Sequence, residues 1–358
     1  MEKFVNIYKF IIVILVVAII VVCGGYRYSI SPVNKNSKEV IFEVKPNSTY
    51  LTIAEDLKQN NLIRSVNFYK VYIKIFKPNN LQAGTYVLNE NMGVEGIIEF
   101  LSKGSTYNPD TISITFQEGI NMRKIAKIIA TNTNNTEQDV YNLLSDSDYL
   151  NELINKYWFI DSDIKKTGIY YSLEGYLFPD TYEYMNKDVS VKEIFAKMLD
   201  KMDLVLSKYK TNLENSDYSI HEILTLASII ELEASNSSDR NGVAGVFYNR
   251  LKSNWSLGSD VTTYYAVKID VSERDLYQSE IDSVNDYNTR PQAMAGKLPI
   301  GPICIPSENS IDAAIKPTNH EYYFFVADKN KKTYFTKTYP EHESIIKKLI
   351  QEGLWYEY

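Results

Sequence analysis

Residues Phe10 to Cys23 read FIIVILVVAIIVVC, fourteen consecutive positions without a charge. A helix that is apolar all round has no polar face to turn to water, so it must be buried in protein or in lipid. Fourteen residues are short for a bilayer. Phe4, Val5, Ile7 and Tyr8 before the run, and Gly24, Gly25 and Tyr26 after it, extend it to a tilted span of roughly 20 residues. No small-x-small cleavage site follows, and the bulky Val21 and Val22 argue against lipidation at Cys23. Lys3, Lys9 and the amino terminus precede the run and only Arg27 soon follows it, which orients the N-terminus to the inside. Residues 1–26 are therefore expected to form a cytoplasmic tip and a transmembrane anchor, with the rest of the chain outside the cell membrane.

The remaining composition is that of a folded protein, with 44% hydrophobic and 23% charged residues in 358. The formal net charge of −7 argues against nucleic acid, whose phosphates need clustered Lys and Arg. The 29 tyrosines suit carbohydrate, though base composition of the genome accounts for them at least as well. Cys23 and Cys304 are too few and too far apart for a disulfide framework or a four-ligand zinc site. His221, His320 and His342 show no metal-ligand spacing, and no Gly-rich phosphate loop occurs. No cofactor is expected.

The pattern along the chain predicts an α+β fold. Residues 27–38 are polar and turn-rich, as in a short stalk. Val40, Phe42 and Val44 alternate, Pro46-Asn47-Ser48 turns, and Ile53, Ala54 and Leu57 share a helical face. The same strand, turn and helix order recurs with Ile112, Ile114 and Phe116, then Glu118-Gly119, then Ile125, Ala126 and Ile129. These repeats suggest two small units, 39–105 and 106–150, with a polar boundary at 131–148. From 151 to 358 a larger domain is expected, with helices at 190–209, 220–235 and 239–252. A hairpin at 322–326 and 333–338 and a helix at 341–350 complete it.

Within that domain, Ile220 to Ala234 reads IHEILTLASIIELEA. Ile223, Leu226, Ala227, Ile230 and Ala234 form one helical face, while Leu224, Ile229 and Leu232 fill much of the rest. The helix nevertheless ends in Glu231 and Glu233. A carboxyl in such surroundings has a raised pKa and can deliver a proton near neutrality. Two residues apart, the pair point about 160° away from each other, so they cannot flank one glycosidic bond as a retaining pair does. One of them faces a cleft, or both cap the helix or pair with Arg240 or Arg250.

The ordered set YSLEGYLFPDTY (171–182), LASIIELEA (226–234), VAGVFYNRL (243–251), SDVTTYYA (259–266), YNTR (287–290), LPIGPICIPS (298–307) and YYFFVADKN (322–330), ahead of Glu341-His342 and behind an N-terminal anchor, resembles the YceG-like family of endolytic murein transglycosylases. The resemblance runs from the anchor to the C-terminus and is closest at 170–330. It implies a LysM-like domain at 39–105 and a YceG-like catalytic domain at 151–358. It also implies that the second glutamate of the E-x-E pair, Glu233, is catalytic. Glu174, Asn249, Arg250, Asp260, Tyr287 and Asn288 would line or brace the cleft, with Tyr287 and Asn288 suited to touch N-acetylated sugar. Ala234 stands where a Thr is common, Arg290 where a Tyr is expected, and Cys304-Ile305 replaces a small-Asn pair.

The activity implied is a lyase reaction, cutting peptidoglycan between N-acetylmuramic acid and N-acetylglucosamine to leave a 1,6-anhydro end. The implied partners are nascent glycan strands, the membrane, cell-wall synthases and elongation or division proteins. A muramidase-like hydrolase and a non-catalytic wall-binding scaffold are the competing readings. Asp180 and Asp260 are the carboxylates that a hydrolase would have to bring to Glu233.

Overall fold

The computed structural model describes residues 2–35, 38–45, 47–104, 111–234 and 236–355, with only the helical backbone at 2–11, 18 and 19. Part of the expected stalk, Pro46 of the first turn and the start of the 106–150 segment lie outside the described residues. The chain is α+β and divides into two compact units, 1–111 and 112–358.

The smaller unit begins with α1 (Glu2–Ile30), which is apolar enough over Ile12–Ile30 to cross a membrane. There follow β1 (Glu39–Val44), α2 (Ala54–Gln59), α3 (Val66–Phe76), β2 (Gly84–Asn89) and α4 (Gly93–Lys103). β1 and β2 pair antiparallel, with Val40 opposite Leu88 and Phe42 opposite Tyr86. The alternation in β1 turns Phe42 and Val44 into a core shared with Leu57, Tyr69, Leu88, Ile97 and Leu101. The residues expected to form a stalk are docked on this unit. α1 continues to Ile30, the N–H groups of Val33 and Asn34 both reach Glu90 O, and Tyr26 and Ile30 pack against the core. The described residues of this stretch, 27–35 and 38, therefore belong to the folded unit rather than to a free linker.

The larger unit comprises β3 (Ile112–Thr115), α5 (Met122–Asn132), α6 (Glu137–Leu144), α7 (Ser147–Lys156), β4 (Thr181–Tyr184) and α8 (Val191–Ser207), then α9 (Lys210–Glu214), α10 (Ile220–Glu233), α11 (Arg240–Lys252), α12 (Asp260–Ala266), α13 (Gln278–Ile281) and α14 (Glu308–Ile315). It closes with the hairpin β5 (Phe324–Ala327) and β6 (Thr333–Thr336) and with α15 (Tyr339–Gln351). The second strand-turn-helix repeat has no core of its own. β3 pairs with β4, sixty-odd residues away, and Ile114, Met122, Ile125 and Ile129 enter the core of the larger unit. A two-stranded hairpin with one helix buries too little apolar surface to stand alone. The polar stretch 131–148 is not a boundary but the cap and first turns of α6 and α7. Thr136 and Asp139 form a capping box, and Val140, Leu144, Tyr149, Leu150 and Leu153 point inward.

α10 lies at the centre, against α11, α12 and α14. Ser219 and Glu222 cap its start reciprocally. Ile223, Leu224, Leu226, Ala227, Ile229 and Ile230 are all buried, as an all-round apolar helix requires. Leu232 is the exception, 39% exposed, because it forms part of a cleft wall. Truncating Ile230→Ala should therefore lower the stability of the larger unit by about 2–5 kcal/mol, and Leu232→Ala by about 1 kcal/mol or less. Denaturant unfolding of the two variants checks the contrast; equal losses would place Leu232 in the core.

Candidate active site

The last turn of α10 sends its two glutamates in opposite directions. Glu231 is buried, its side chain 4% exposed. Its Oε1 accepts from Arg240 Nη2 at 2.7 Å, and its Oε2 accepts from Ser307 N at 2.8 Å and Ser307 Oγ at 2.5 Å. Arg240 is the first residue of α11, and Ser307 is the N-cap of α14. One carboxylate thus ties three helix ends together.

Glu233 is half-buried and lines a cleft of about 820 Å³. Arg250, Ser259, Asp260, Tyr264, Asp275, Arg290, His342 and Trp355 line it too, with the apolar Leu232, Phe247, Leu257, Val271, Leu276 and Phe325. Ser259 Oγ donates to Glu233 Oε1 at 2.5 Å. Ser259 precedes α12 in the N-cap position, yet its hydroxyl makes no cap bond and is turned to Glu233 instead. Burial raises the pKa of Glu233 most, and the charge of Asp260 raises it further. The Ser259 hydroxyl and the cations of Arg250 and Arg290 pull it down.

Arg250 and Asp260 line the cleft. Arg250 is held by Nε donating to Tyr323 O at 2.8 Å and Nη1 donating to Leu257 O, which aims it beside Glu233. Asp260 accepts from Arg290 Nε at 2.6 Å and pairs with its Nη2. Arg290, noted in the sequence only as a departure from pattern, therefore fixes the second carboxylate of the cleft. Asp180 lies among other residues and pairs with Lys201 at 2.8 Å.

Glu174, Asn249, Tyr287 and Asn288 do not line the cleft. Asn249 Nδ2 donates to His320 O at 2.8 Å and Tyr322 O at 2.9 Å, pinning α11 to the approach to β5. Asn288 is fully buried. Its Oδ1 accepts from Thr263 Oγ1 at 2.7 Å and its Nδ2 donates to Ser283 O at 2.7 Å, stapling α12 to the loop at 283–290. Tyr287, also buried, packs between Tyr170 and Tyr265 with ring centroids 4.7 and 4.8 Å away, so its face is unavailable to sugar. Glu174 accepts from Met122 N at 3.0 Å and from Tyr265 Oη at 2.9 Å, joining α5 to α12. Cys304 is buried, its thiol donating to Ser228 O at 3.3 Å.

Sequence reasoning missed Ser259, Tyr264, Asp275 and Trp355. Ser259 was hidden because Ser-Asp before an apolar run reads as an ordinary helix cap. His342 also lines the cleft. Its Nδ1 is buried without a partner among the described residues, and burial and then Arg250 lower its pKa. Among the described residues no group of three His, Cys, Asp or Glu side chains is placed to hold a metal.

Burial pushes the Glu174 pKa up to about 7, against the opposing pull of Met122 N–H, Tyr265 and Arg123. A carboxyl raised in the folded state stabilises the fold below its unfolded pKa of about 4.5, and that contribution is lost as pH rises through about 7. Between those values wild type should lose up to about 3 kcal/mol of stability relative to Glu174→Gln. Unfolding curves collected across this pH range check it; parallel pH dependences for the two proteins would refute the assignment.

Comparison with known proteins places the chain. Residues 42–348 match the YceG-like family. The endolytic murein transglycosylase of Bacillus subtilis (strain 168) is 34% identical over 337 residues, 92% of this chain and 91% of that protein. That of Streptococcus pneumoniae serotype 2 (strain D39) is 29% identical over 350 residues, 92% of this chain and 62% of that protein. The crystal structure of a yceG-like protein from Listeria monocytogenes superposes with a TM-score of 0.61 at 30% identity, over 87% of this chain and all of that one. The chain belongs to the YceG-like family.

Proposed function

We propose that this protein is an endolytic murein transglycosylase, cutting peptidoglycan between N-acetylmuramic acid and N-acetylglucosamine with Glu233 as both acid and base. The observation that carries the reading is Glu233 itself: a carboxyl whose pKa is raised by burial, opening into a cleft and held in place by Ser259. The relatives named for this activity support it.

In the reaction, protonated Glu233 gives its proton to the glycosidic oxygen as the bond to muramic acid C1 breaks. The C6 hydroxyl of the same sugar then bonds to C1 and returns its proton to Glu233. Atoms balance without water, and one group serves twice because the nucleophile is tethered to the reacting centre. Arg250 and Arg290 favour the carboxylate form in which Glu233 must act as base. Asp260, the second carboxylate of the cleft, is occupied by Arg290, which argues against its use as the nucleophile of a hydrolase.

The N-terminal helix is assigned as a single-pass anchor with its N-terminus cytoplasmic, on the charge bias of Lys3 and Lys9 before the apolar run. The β1-α2-α3-β2 order of the smaller unit supports a LysM-like, glycan-binding role for residues 39–105. An anchored enzyme of this kind acts on new strands near the membrane, beside cell-wall synthases and the elongation or division proteins.

Glu233→Gln should cut the rate of cleavage of uncrosslinked glycan by at least about 10²-fold. Mass analysis of products decides among the readings. Anhydro ends that persist in Glu233→Gln would overturn the site, a reducing muramic acid end from wild type would favour a hydrolase, and no cleavage by wild type would favour a scaffold.

The alkaline side of the pH–rate profile should follow the loss of the Glu233 proton. Ser259→Ala removes a donor that favours the carboxylate, so this limb should move to higher pH. Asp260→Asn removes a charge that disfavours it and frees Arg290, so the limb should move to lower pH, each by on the order of half a unit. Shifts of the same sign would show that the limb belongs to another group.

A further inference from the structure

The smaller unit is fixed to the outer end of α1, and α3 is the helix that lies against it. Tyr26 meets Phe68 edge-on with ring centroids 6.0 Å apart. Arg64, two residues before α3 begins, stacks over the Tyr28 ring at 4.6 Å and donates from Nη2 to Pro32 O at 2.6 Å and Val33 O at 3.0 Å. As numbers rise along α3 they fall along α1, so the two helices run in opposite directions. The C-terminal turn of α3 therefore points back toward the apolar run. Phe76 lies two turns beyond Phe68, up to about 12 Å closer to that run at 1.5 Å per residue.

That turn is unusual for a surface facing water. Ile75 is 62% and Phe76 61% exposed, Val71 lies one turn before Ile75, and Phe76 stacks on Tyr72 at 4.4 Å. Lys70, Lys74 and Lys77 run beside them at spacings of four and three. Apolar tips with a flanking row of lysines are the pattern of a helix lying in the boundary between lipid headgroups and acyl chains. Tyr26, Arg27 and Tyr28 mark the same level on α1, where aromatic and basic residues anchor a span.

We infer that the end of α3 docks into the outer face of the bilayer that α1 crosses, with Ile75 and Phe76 among the acyl chains and Lys70, Lys74 and Lys77 at the headgroup phosphates. The occupant of this apolar surface is lipid, because the helix direction carries Phe76 toward the apolar part of α1 rather than away from it. Two attachments, a span and an interfacial helix end, hold the smaller unit in one orientation on the membrane. The inference rests on the reading of α1 as a span.

The test uses the full chain in vesicles containing anionic lipid, with Cys23→Ser to leave only the buried Cys304. An environment-sensitive label is attached at Phe76→Cys or, separately, at Val16→Cys within α1. The label at 76 should emit to the blue, be quenched several-fold by spin-labelled lipid and be protected from iodide in the water. Quenching by iodide at 76, with quenching by lipid at 16, would overturn the docking and leave the span intact. Failure of lipid to quench at 16 would overturn the span and the docking with it. A label at 76 shielded from both quenchers would place protein there instead of lipid and would also overturn it. Ile75→Cys repeats the measurement one residue away, so the result does not depend on a single variant.

Discussion

The position of Glu233 depends on the buried contact of Glu231 with Arg240 and Ser307. A helix end frays unless its last turn is held, and the acid-base role proposed for Glu233 tolerates little play. Glu231 removes that play by joining the end of α10 to the starts of α11 and α14. Losing one partner of so buried a pair costs on the order of 3–5 kcal/mol, because the other charge is left without water or a counter-ion. The contact therefore permits one arrangement of the three helix ends. With Glu231 committed to the interior, helical geometry turns Glu233 the other way, into the cleft.

The titration of Glu233 then follows from opposing influences, of which burial is the largest. Burial and Asp260 favour the neutral acid; Ser259, Arg250 and Arg290 favour the carboxylate. In the proposed reaction the group must give a proton and later take one back, and opposing influences serve it, since an extreme pKa in either direction makes one of the two steps unfavourable. The pair formed by Asp260 and Arg290 acts on both sides, its anion raising and its cation lowering the same pKa. Ala234 next to Glu233 has no hydroxyl, and the hydroxyl that Glu233 accepts from belongs to Ser259.

The parts legible in the sequence were those governed by local periodicity and geometry. The apolar pattern of 220–234 located α10, and the two-residue spacing of its glutamates excluded their acting as a pair, while the surrounding motifs singled out Glu233. The alternation at 322–338 located the hairpin. What stayed hidden depended on contacts between distant segments. β3 pairs with a strand almost seventy residues later, so its place in the larger unit is invisible to a local reading. α6 and α7 carry few apolar residues in a polar stretch, and only the shape of the surrounding core makes those few sufficient. Tyr287 and Asn288 have side chains that suit sugar, and nothing local says that they are buried.

Their burial explains why residues matched to a catalytic family stand away from its cleft. Glu174 holds Tyr265, Tyr265 packs on Tyr287, and Asn288 holds Thr263; both Tyr265 and Thr263 belong to α12. Thr289, the next residue, accepts from Ser259 N and exchanges a hydrogen bond with Thr262. These contacts from two sides fix the helix whose first turn presents Ser259 and Asp260 to Glu233. α12 is only seven residues long, too short to be stable by itself, and it gives up its own N-cap bond to hold the acid. A buried layer around it supplies what the helix lacks. Glu174, Tyr287 and Asn288 therefore help to fix the position of α12, and with it that of Ser259 beside Glu233.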